Sequence, residues 1–315
     1  MKKVLVAYAP IGDAFDELKQ KYEVKMPEEG IWGYDDIYAL IPEYDALLSD
    51  FSMKVDARMM DHAPRLKIIS NYAVGFNNID VAYAMQKGIA VANTPDPVIE
   101  PTAELAFGLM LDAARRITEC DRKLHDKSLV WGPFNDMGVN LYGKTLGIIG
   151  MGRIGQAVAR RAVAFGMKVV YHNRRKLPQT IEAKYGATYL PLDELYAVAD
   201  FVSLNAPLTD ETYHLIDAHA FSLMKKNCIL VNTARGPEVD EKALAEALRT
   251  KRILGAGLDV YEYEPQISEG LLSLPNVVLT PHKGTATMEG RIAMAKYAAQ
   301  NIMSFFEGKP FARVN

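Results

Sequence analysis

Short apolar runs alternate along the chain with longer stretches whose apolar positions recur at helical spacing. Val4–Tyr8, Ala46–Ser49, Lys67–Ser70 and Ile89–Asn93 predict strands in the first third. Thr145–Ile149, Lys168–His172, Phe201–Asn205, Cys228–Asn232, Gly255–Val260 and Val277–Leu279 predict strands in the rest. Strands that alternate with helices imply parallel sheets covered on both faces. The segment Thr102 to Ile117 carries Ala and Leu on nearly every face and predicts a helix buried by one chain, or by two together. Met288 to Phe306 predicts an amphipathic helix with Ile292, Ala295, Ala299, Ile302 and Phe306 on one side, stopped by Gly308 and Pro310. It is expected to return to the first domain. Asn93-Thr94-Pro95-Asp96-Pro97 is a Pro-rich break that predicts a domain crossing.

The Thr145–Ile149 run leads into Gly150-Met151-Gly152-Arg153-Ile154-Gly155, followed by a helical pattern from Gln156 to Phe165 and by the run Lys168–His172. Strand, tight turn, helix and strand are the context a dinucleotide-binding G-x-G-x-x-G requires. Gly150 permits the turn, Gly152 lets backbone approach a pyrophosphate, and Gly155 lets helix and strand pack closely. The helix start offers N–H groups and a positive dipole end to the phosphates. Because the fingerprint begins only at residue 150, one α/β domain precedes the dinucleotide domain. Asn173 stands where an acid would bind a ribose 2′-hydroxyl, and Arg174, Arg175 and Lys176 follow. Arginines there would bind a 2′-phosphate, so NADP(H) is the preferred cofactor, with NAD(H) possible. The alternative is a solvated basic turn.

Composition adds exclusions. The 315 residues suffice for two domains with substantial cores. With 49% hydrophobic and 24% charged residues and a net charge of -3, neither a nucleic-acid nor a membrane partner is expected. The N-terminal Lys2-Lys3 and its short apolar run read as a first strand and not as a signal peptide. Cys120 and Cys228 are too few for a metal cluster, so no metal and a reducing cytoplasm are expected.

Three segments past predicted strands carry chemistry: Thr233-Ala234-Arg235-Gly236-Pro237, Asp259-Val260-Tyr261-Glu262-Tyr263-Glu264-Pro265, and Thr280-Pro281-His282-Lys283-Gly284. Ligands of open α/β sheets bind beyond the carboxyl ends of strands, so Arg235, Glu264 and His282 can converge on one crevice. A permanently charged planar fork suits a carboxylate beside a ketone, and an imidazole suits proton delivery to a developing alkoxide. Either Glu264 or Glu262 could orient the imidazole; the Glu-Pro pair favours Glu264. His62, His125, His172, His214 and His219 read as structural. Trp131-Gly132-Pro133-Phe134 is either ordinary core or an aromatic wall of a neighbouring subunit's substrate site.

Taken with Ala73-Val74-Gly75, Asn78-Ile79-Asp80, Thr102-Ala103-Glu104-Leu105-Ala106, Gly143-Lys144-Thr145, Pro207-Leu208-Thr209 and Gly257-Leu258-Asp259-Val260, these segments resemble the D-isomer-specific 2-hydroxyacid dehydrogenases over nearly the whole chain. The arginine run resembles the glyoxylate/hydroxypyruvate reductase branch, which favours NADPH. The resemblance implies two Rossmann/flavodoxin-like parallel-sheet domains with the active site in the cleft between them. The expected boundaries are 1–98 with 288–315 for the substrate-binding domain and 99–287 for the dinucleotide-binding domain. It implies catalytic Arg235, Glu264 and His282, and a carboxylate clamp completed by backbone N–H groups around Val74 and Gly75. Asp259 would bind the nicotinamide carboxamide. Thr102, Gly150, Gly152, Arg153, Ile154, Gly155, Asn173, Arg174, Arg175, Asn205, Ala206, Pro207, Thr233, Ala234 and Gly284 would line the cofactor.

The expected reaction is reduction of a small 2-oxo acid to the D-2-hydroxy acid by a homodimer. A dinucleotide-sensing corepressor type is the alternative, disfavoured because no appended tail or charge run is present. A phosphoglycerate dehydrogenase is disfavoured because no regulatory domain follows Asn315. The chain departs from the family at Lys283, where an aliphatic residue is usual, at Asn205 (often His) and at Pro237 (often Gly). Selectivity is expected from loops near Ile11, Phe51, Phe76 and Trp131.

Overall fold

The computed structural model describes residues 1–9 and 12–315. Ile11, expected to shape selectivity, lies outside the described residues. The chain divides into two compact units, residues 1–98 with 285–315, and residues 99–284.

The first unit holds a five-stranded, wholly parallel sheet of β1 (Lys3–Val6), β2 (Glu23–Lys25), β3 (Ala46–Asp50), β4 (Ile68–Tyr72) and β5 (Ala90–Ala92). Its order is β2-β1-β3-β4-β5, the flavodoxin-like arrangement. β3 and β4 are buried along their whole length, so each opens on apolar residues and Ser49, Asp50, Ser70 and Asn71 toward their C-terminal ends are buried as well. The helix Met288–Phe306 covers β4: Ser70 donates to the carbonyl of Ala298 at 2.9 Å, and Ala298, Ala299 and Ile302 are buried.

The second unit holds seven parallel strands: β6 (Thr145–Ile149), β7 (Lys168–His172), β8 (Thr188–Tyr189), β9 (Phe201–Leu204), β10 (Ile229–Asn232), β11 (Gly255–Leu258) and β12 (Val277–Leu279). The order β12-β11-β10-β9-β6-β7-β8 is the doubly wound Rossmann arrangement extended by one strand, and its direction of winding switches between β6 and β9. The helix Ile99–Arg115 packs on one face, close enough that a Cβ on Gly257 of β11 would lie 2.8 Å from Leu109 Cβ.

Several expected elements are corrected. β2 and β8 give no apolar run, because each is a short, largely exposed edge strand. The first strand ends at Val6, not Tyr8; Tyr8 leaves the ladder for an antiparallel bridge with Ile31. The first long helix begins at Ile99, with Pro101 in its first turn, where a missing N–H costs nothing. It ends at Arg115 because Arg116 adopts a left-handed φ of 56°. A second helix, Ile117–His125, follows, and Asp112 accepts the Thr118 N–H across the break at 2.8 Å. The long helix is not buried all round: Glu100, Glu104, Gly108 and Arg115 form an exposed stripe. Arg160 and Arg161 of the helix Arg153–Ala164 pair with that stripe at Glu100 and Glu104. Among the described residues no helix is long and apolar enough to cross a membrane.

Candidate active site

The fingerprint folds as a strand-to-helix turn. Gly150 sits at φ 88°, and its N–H donates to the His172 carbonyl at 2.9 Å. A Cβ there would lie 2.4 Å from the Ala206 nitrogen, so only glycine lets this turn touch the chain leaving β9. A Cβ on Gly155 would lie 2.4 Å from the Gly150 carbonyl oxygen, whereas nothing lies within 4 Å of one on Gly152. The first and third glycines therefore serve packing, and the second faces open space at the N-cap of the helix Arg153–Ala164, which carries Ile154 in its first turn. That is the cradle a pyrophosphate needs.

Asn173 does more than stand neutral beside a ribose. Its Oδ1 accepts the Met151 N–H at 2.6 Å, tying the end of β7 to the glycine turn. Arg174 and Arg175 are exposed and join no ion pair among the described residues, while Lys176 pairs with Glu182 at 3.7 Å. Asn205, ahead of Ala206 and Pro207, and Thr233, ahead of Ala234, follow β9 and β10. Asn205 Oδ1 and Thr233 Oγ1 are buried without a hydrogen-bond partner. Buried polar atoms of this kind call for an acceptor or donor from outside the chain, so the residues present fit a bound dinucleotide.

Arg235, Glu264 and His282 follow β10, β11 and β12, three neighbours in the sheet. Asn232 shapes the first turn by accepting the Ala234 N–H and donating to the Arg235 carbonyl, both at 2.9 Å. His282 sits at a left-handed φ of 51°, held by its N–H to the Asp259 carbonyl at 2.8 Å. Its Nδ1 donates to Glu264 Oε2 at 2.8 Å. Glu264 is fixed in turn by the Tyr261 N–H, at 3.0 Å to Oε1. Burial raises the Glu264 carboxyl, but the hydrogen bond and charge of His282 outweigh it, and the group lies below its ordinary range. With Nδ1 committed to Glu264, Nε2 is the nitrogen from which a proton can be delivered.

Asp259 is almost fully buried and holds the turn that carries His282. It accepts from Thr280 Oγ1 at 2.6 Å, the Lys283 N–H at 2.6 Å and the Gly284 N–H at 2.7 Å. Burial raises its carboxyl despite these three donors. A Cβ on Gly284 would sit 3.3 Å from Asp259 Oδ2 and 3.5 Å from Thr102 Oγ1, so these three expected cofactor residues adjoin one another. The Lys283 residue itself is exposed.

In the first unit, Val74 and Gly75 form the turn after β4. Asn93 and Asn71 clamp their carbonyls at 2.8 Å each, while their N–H groups donate to no acceptor among the described residues. Phe51 and Phe76 are exposed. Trp131 and Phe134 are 84% and 79% exposed, so that segment is not core of its own chain.

Two features escaped the sequence. His214, read as structural, is paired: its ring contacts Glu262 Oε1 through Nε2 at 2.9 Å, while Glu264 serves His282. Glu238 is fully buried, with Oε2 accepting the Arg235 N–H at 3.3 Å and Oε1 unpartnered. Burial pushes its carboxyl up to about 8. Nothing in local spacing distinguishes a buried glutamate from an exposed one in a turn.

The model for the D-isomer specific 2-hydroxyacid dehydrogenase NAD-binding domain matches residues 107–284, and the chain belongs to this family of nicotinamide-dinucleotide-dependent oxidoreductases acting on CH–OH groups. It is 44% identical over 313 residues to the glyoxylate reductase of Thermococcus onnurineus, covering 98% of this chain and 93% of that one. Among solved structures, a glyoxylate reductase from Paecilomyes thermophila superposes with a TM-score of 0.90 at 35% identity, over 99% of this chain and 98% of that one. An NADPH-dependent glyoxylate/hydroxypyruvate reductase from Sinorhizobium meliloti, in complex with NADP and malonate, superposes with a TM-score of 0.85 at 32% identity, over 99% and 96%.

Proposed function

We propose that this chain reduces a small 2-oxo acid of the glyoxylate or hydroxypyruvate type to the D-2-hydroxy acid, with NADPH preferred. The observation that carries the reading is the set Arg235, Glu264 and His282 at the ends of three adjacent strands, with the His282–Glu264 bond at 2.8 Å. Its relatives named glyoxylate reductase support the substrate class.

A reduced nicotinamide, when bound, supplies hydride to the carbonyl carbon. The side chains supply the rest. Arg235 grips the carboxylate and polarises the ketone oxygen with its planar fork. His282 Nε2 hands a proton to the developing alkoxide, while Glu264 on Nδ1 stabilises the imidazolium and fixes its tautomer. Val74 and Gly75 offer undonated N–H groups to the carboxylate. Gly150, Gly152, Arg153, Ile154 and Gly155 form the phosphate cradle. Thr102, Asn205, Ala206, Pro207, Thr233, Ala234, Asp259 and Gly284 line the rest of the dinucleotide site, and Arg174 and Arg175 beside Asn173 engage a 2′-phosphate. The active form is a cytoplasmic homodimer whose interface takes up the exposed Ile117, Leu124, Trp131 and Phe134.

The test is steady-state kinetics with glyoxylate, hydroxypyruvate, pyruvate and phenylpyruvate, each with NADPH and NADH. Turnover strongest on the smaller acids with NADPH is expected. No turnover of any 2-oxo acid with either cofactor overturns the reading.

A further inference from the structure

We infer that His214 and Glu262 are positioning residues for the reaction: a second imidazole–carboxylate pair that locks the Arg235 segment to the Glu264 segment. The inference rests on the proposed catalytic roles of Arg235, Glu264 and His282.

The two segments meet as bare backbone. A Cβ on Gly236 would lie 1.9 Å from the Tyr261 carbonyl carbon, so glycine is required beside Arg235 for this approach. The strands β10 and β11 that lead into them pair in register, and beyond the sheet His214 ties the two segments together. Its N–H donates to the carbonyl of Pro237, two residues past Arg235, at 2.9 Å. Its Nε2 meets Glu262 Oε1, two residues before Glu264, at 2.9 Å. One residue thus reaches both catalytic segments, and it adopts a left-handed φ of 49° to do so. The Tyr213 ring stacks on the imidazole, with centroids 4.1 Å apart and planes 13° apart.

Glu262 is held from the other side as well. Its side chain is 6% exposed, and its Oε2 accepts the Glu241 N–H at 3.3 Å while its own N–H donates to Glu241 Oε1 at 2.6 Å. This reciprocal pair fixes the backbone from which Tyr261 and Glu264 project. Tyr261, next in line, donates its N–H to Glu264 Oε1. A chain of contacts therefore runs from His214 through Glu262 and Tyr261 to the carboxylate that orients His282. None of its members upstream of Glu264 touches the proposed substrate, so their effect passes through geometry.

The experiment follows the His282 Nδ1–H proton, held in its hydrogen bond to Glu264, by NMR of ring-labelled histidine. It compares wild type, Glu264→Gln, His214→Ala, His214→Gln and Glu262→Gln. Glu264→Gln replaces a charged acceptor by a neutral one and weakens this bond, so the Nδ1–H resonance should move upfield. His214→Ala should move it in the same direction by a smaller amount. His214→Gln keeps a donor toward Glu262 and should stay near wild type. In parallel, kcat of His214→Ala should fall by about 10–100-fold while NADPH affinity is unchanged. A His282 Nδ1–H resonance unmoved in His214→Ala overturns the inference whether or not the enzyme turns over. If that variant does not fold, Glu262→Gln is read by the same criterion. A wild-type protein that reduces no 2-oxo acid instead overturns the function, and the NMR comparison still decides the lock.

Discussion

Exchanging Asn173 for Asp together with Arg174 for Ala should move cofactor preference from NADPH toward NADH. The structure fixes what each change does. Asn173 uses Oδ1 to accept the Met151 N–H, and an aspartate oxygen can accept the same bond, so the glycine turn should survive. The second aspartate oxygen then becomes an acceptor for a 2′-hydroxyl and repels a 2′-phosphate. Arg174 is exposed and joins no ion pair among the described residues, though its charge acts on the Glu211 carboxyl, so its removal takes away the proposed phosphate donor and leaves Glu211 without that cation. A charge-assisted hydrogen bond contributes about 1.5–3 kcal/mol when sheltered, and an exposed ion pair roughly 0.2–1 kcal/mol. Two arginines at an open turn fall between these limits, giving a wild-type preference for NADPH of roughly 10–100-fold in kcat/KM. The double variant should lose most of that. The assay is kcat/KM for both cofactors at fixed glyoxylate, repeated at two salt concentrations, since higher salt should narrow the wild-type preference. A wild type that uses NADH as well as NADPH refutes the reasoning and makes residues 174–176 a solvated surface.

Three further outcomes are expected. His282→Ala should cut kcat by roughly 10²–10⁴ with NADPH binding preserved by fluorescence titration; near-full turnover would remove His282 as proton donor. Glu238 has its carboxyl raised from 4.5 to about 8, so the folded state binds the proton more tightly and stability drains away as pH climbs through that window. Glu238→Gln should therefore raise Tm at pH 9 while changing it little at pH 5, and a uniform loss at both would contradict the linkage. Light scattering at micromolar concentration should give twice the chain mass, and Trp131→Asp with Phe134→Asp should yield monomers; a monomeric wild type counts against the interface.

The parallel strands of the central sheets were legible because they are buried on both faces and open on apolar residues, as in β3, β4 and β10. The edge strands β2 and β8 were not, since an edge needs no apolar run, and the Lys3–Glu23 pairing, salt bridge included, joins residues too far apart in the chain for local spacing to connect. The stop at Arg115 was hidden for a related reason: the left-handed Arg116 carries no glycine to announce it. Within the site, the glycines and the strand-end residues stood out because their chemistry is local. Nothing in the segment marked Glu262 as the partner of His214, whereas the Glu-Pro pair favoured Glu264 for His282, to which it is bonded. The two partners lie 48 and 18 residues away, and the sheet order brings each to its glutamate.

The placement of the helix Met288–Phe306 on β4 bears on how the chain comes off the ribosome. The unit that is begun first is finished last. After Val98 has emerged, residues 99–284 must still be made, roughly 10–40 s at common elongation speeds. During that interval the side of β4 destined for Ala298, Ala299 and Ile302 has no cover, and the hydroxyl of Ser70 lacks its Ala298 carbonyl. The second unit has all its strands in one continuous stretch and suffers no such wait. Synthesis thus imposes an order of maturation opposite to the order of the sequence, and leaves residues 1–98 without the cover of the helix Met288–Phe306 until the last stretch is made.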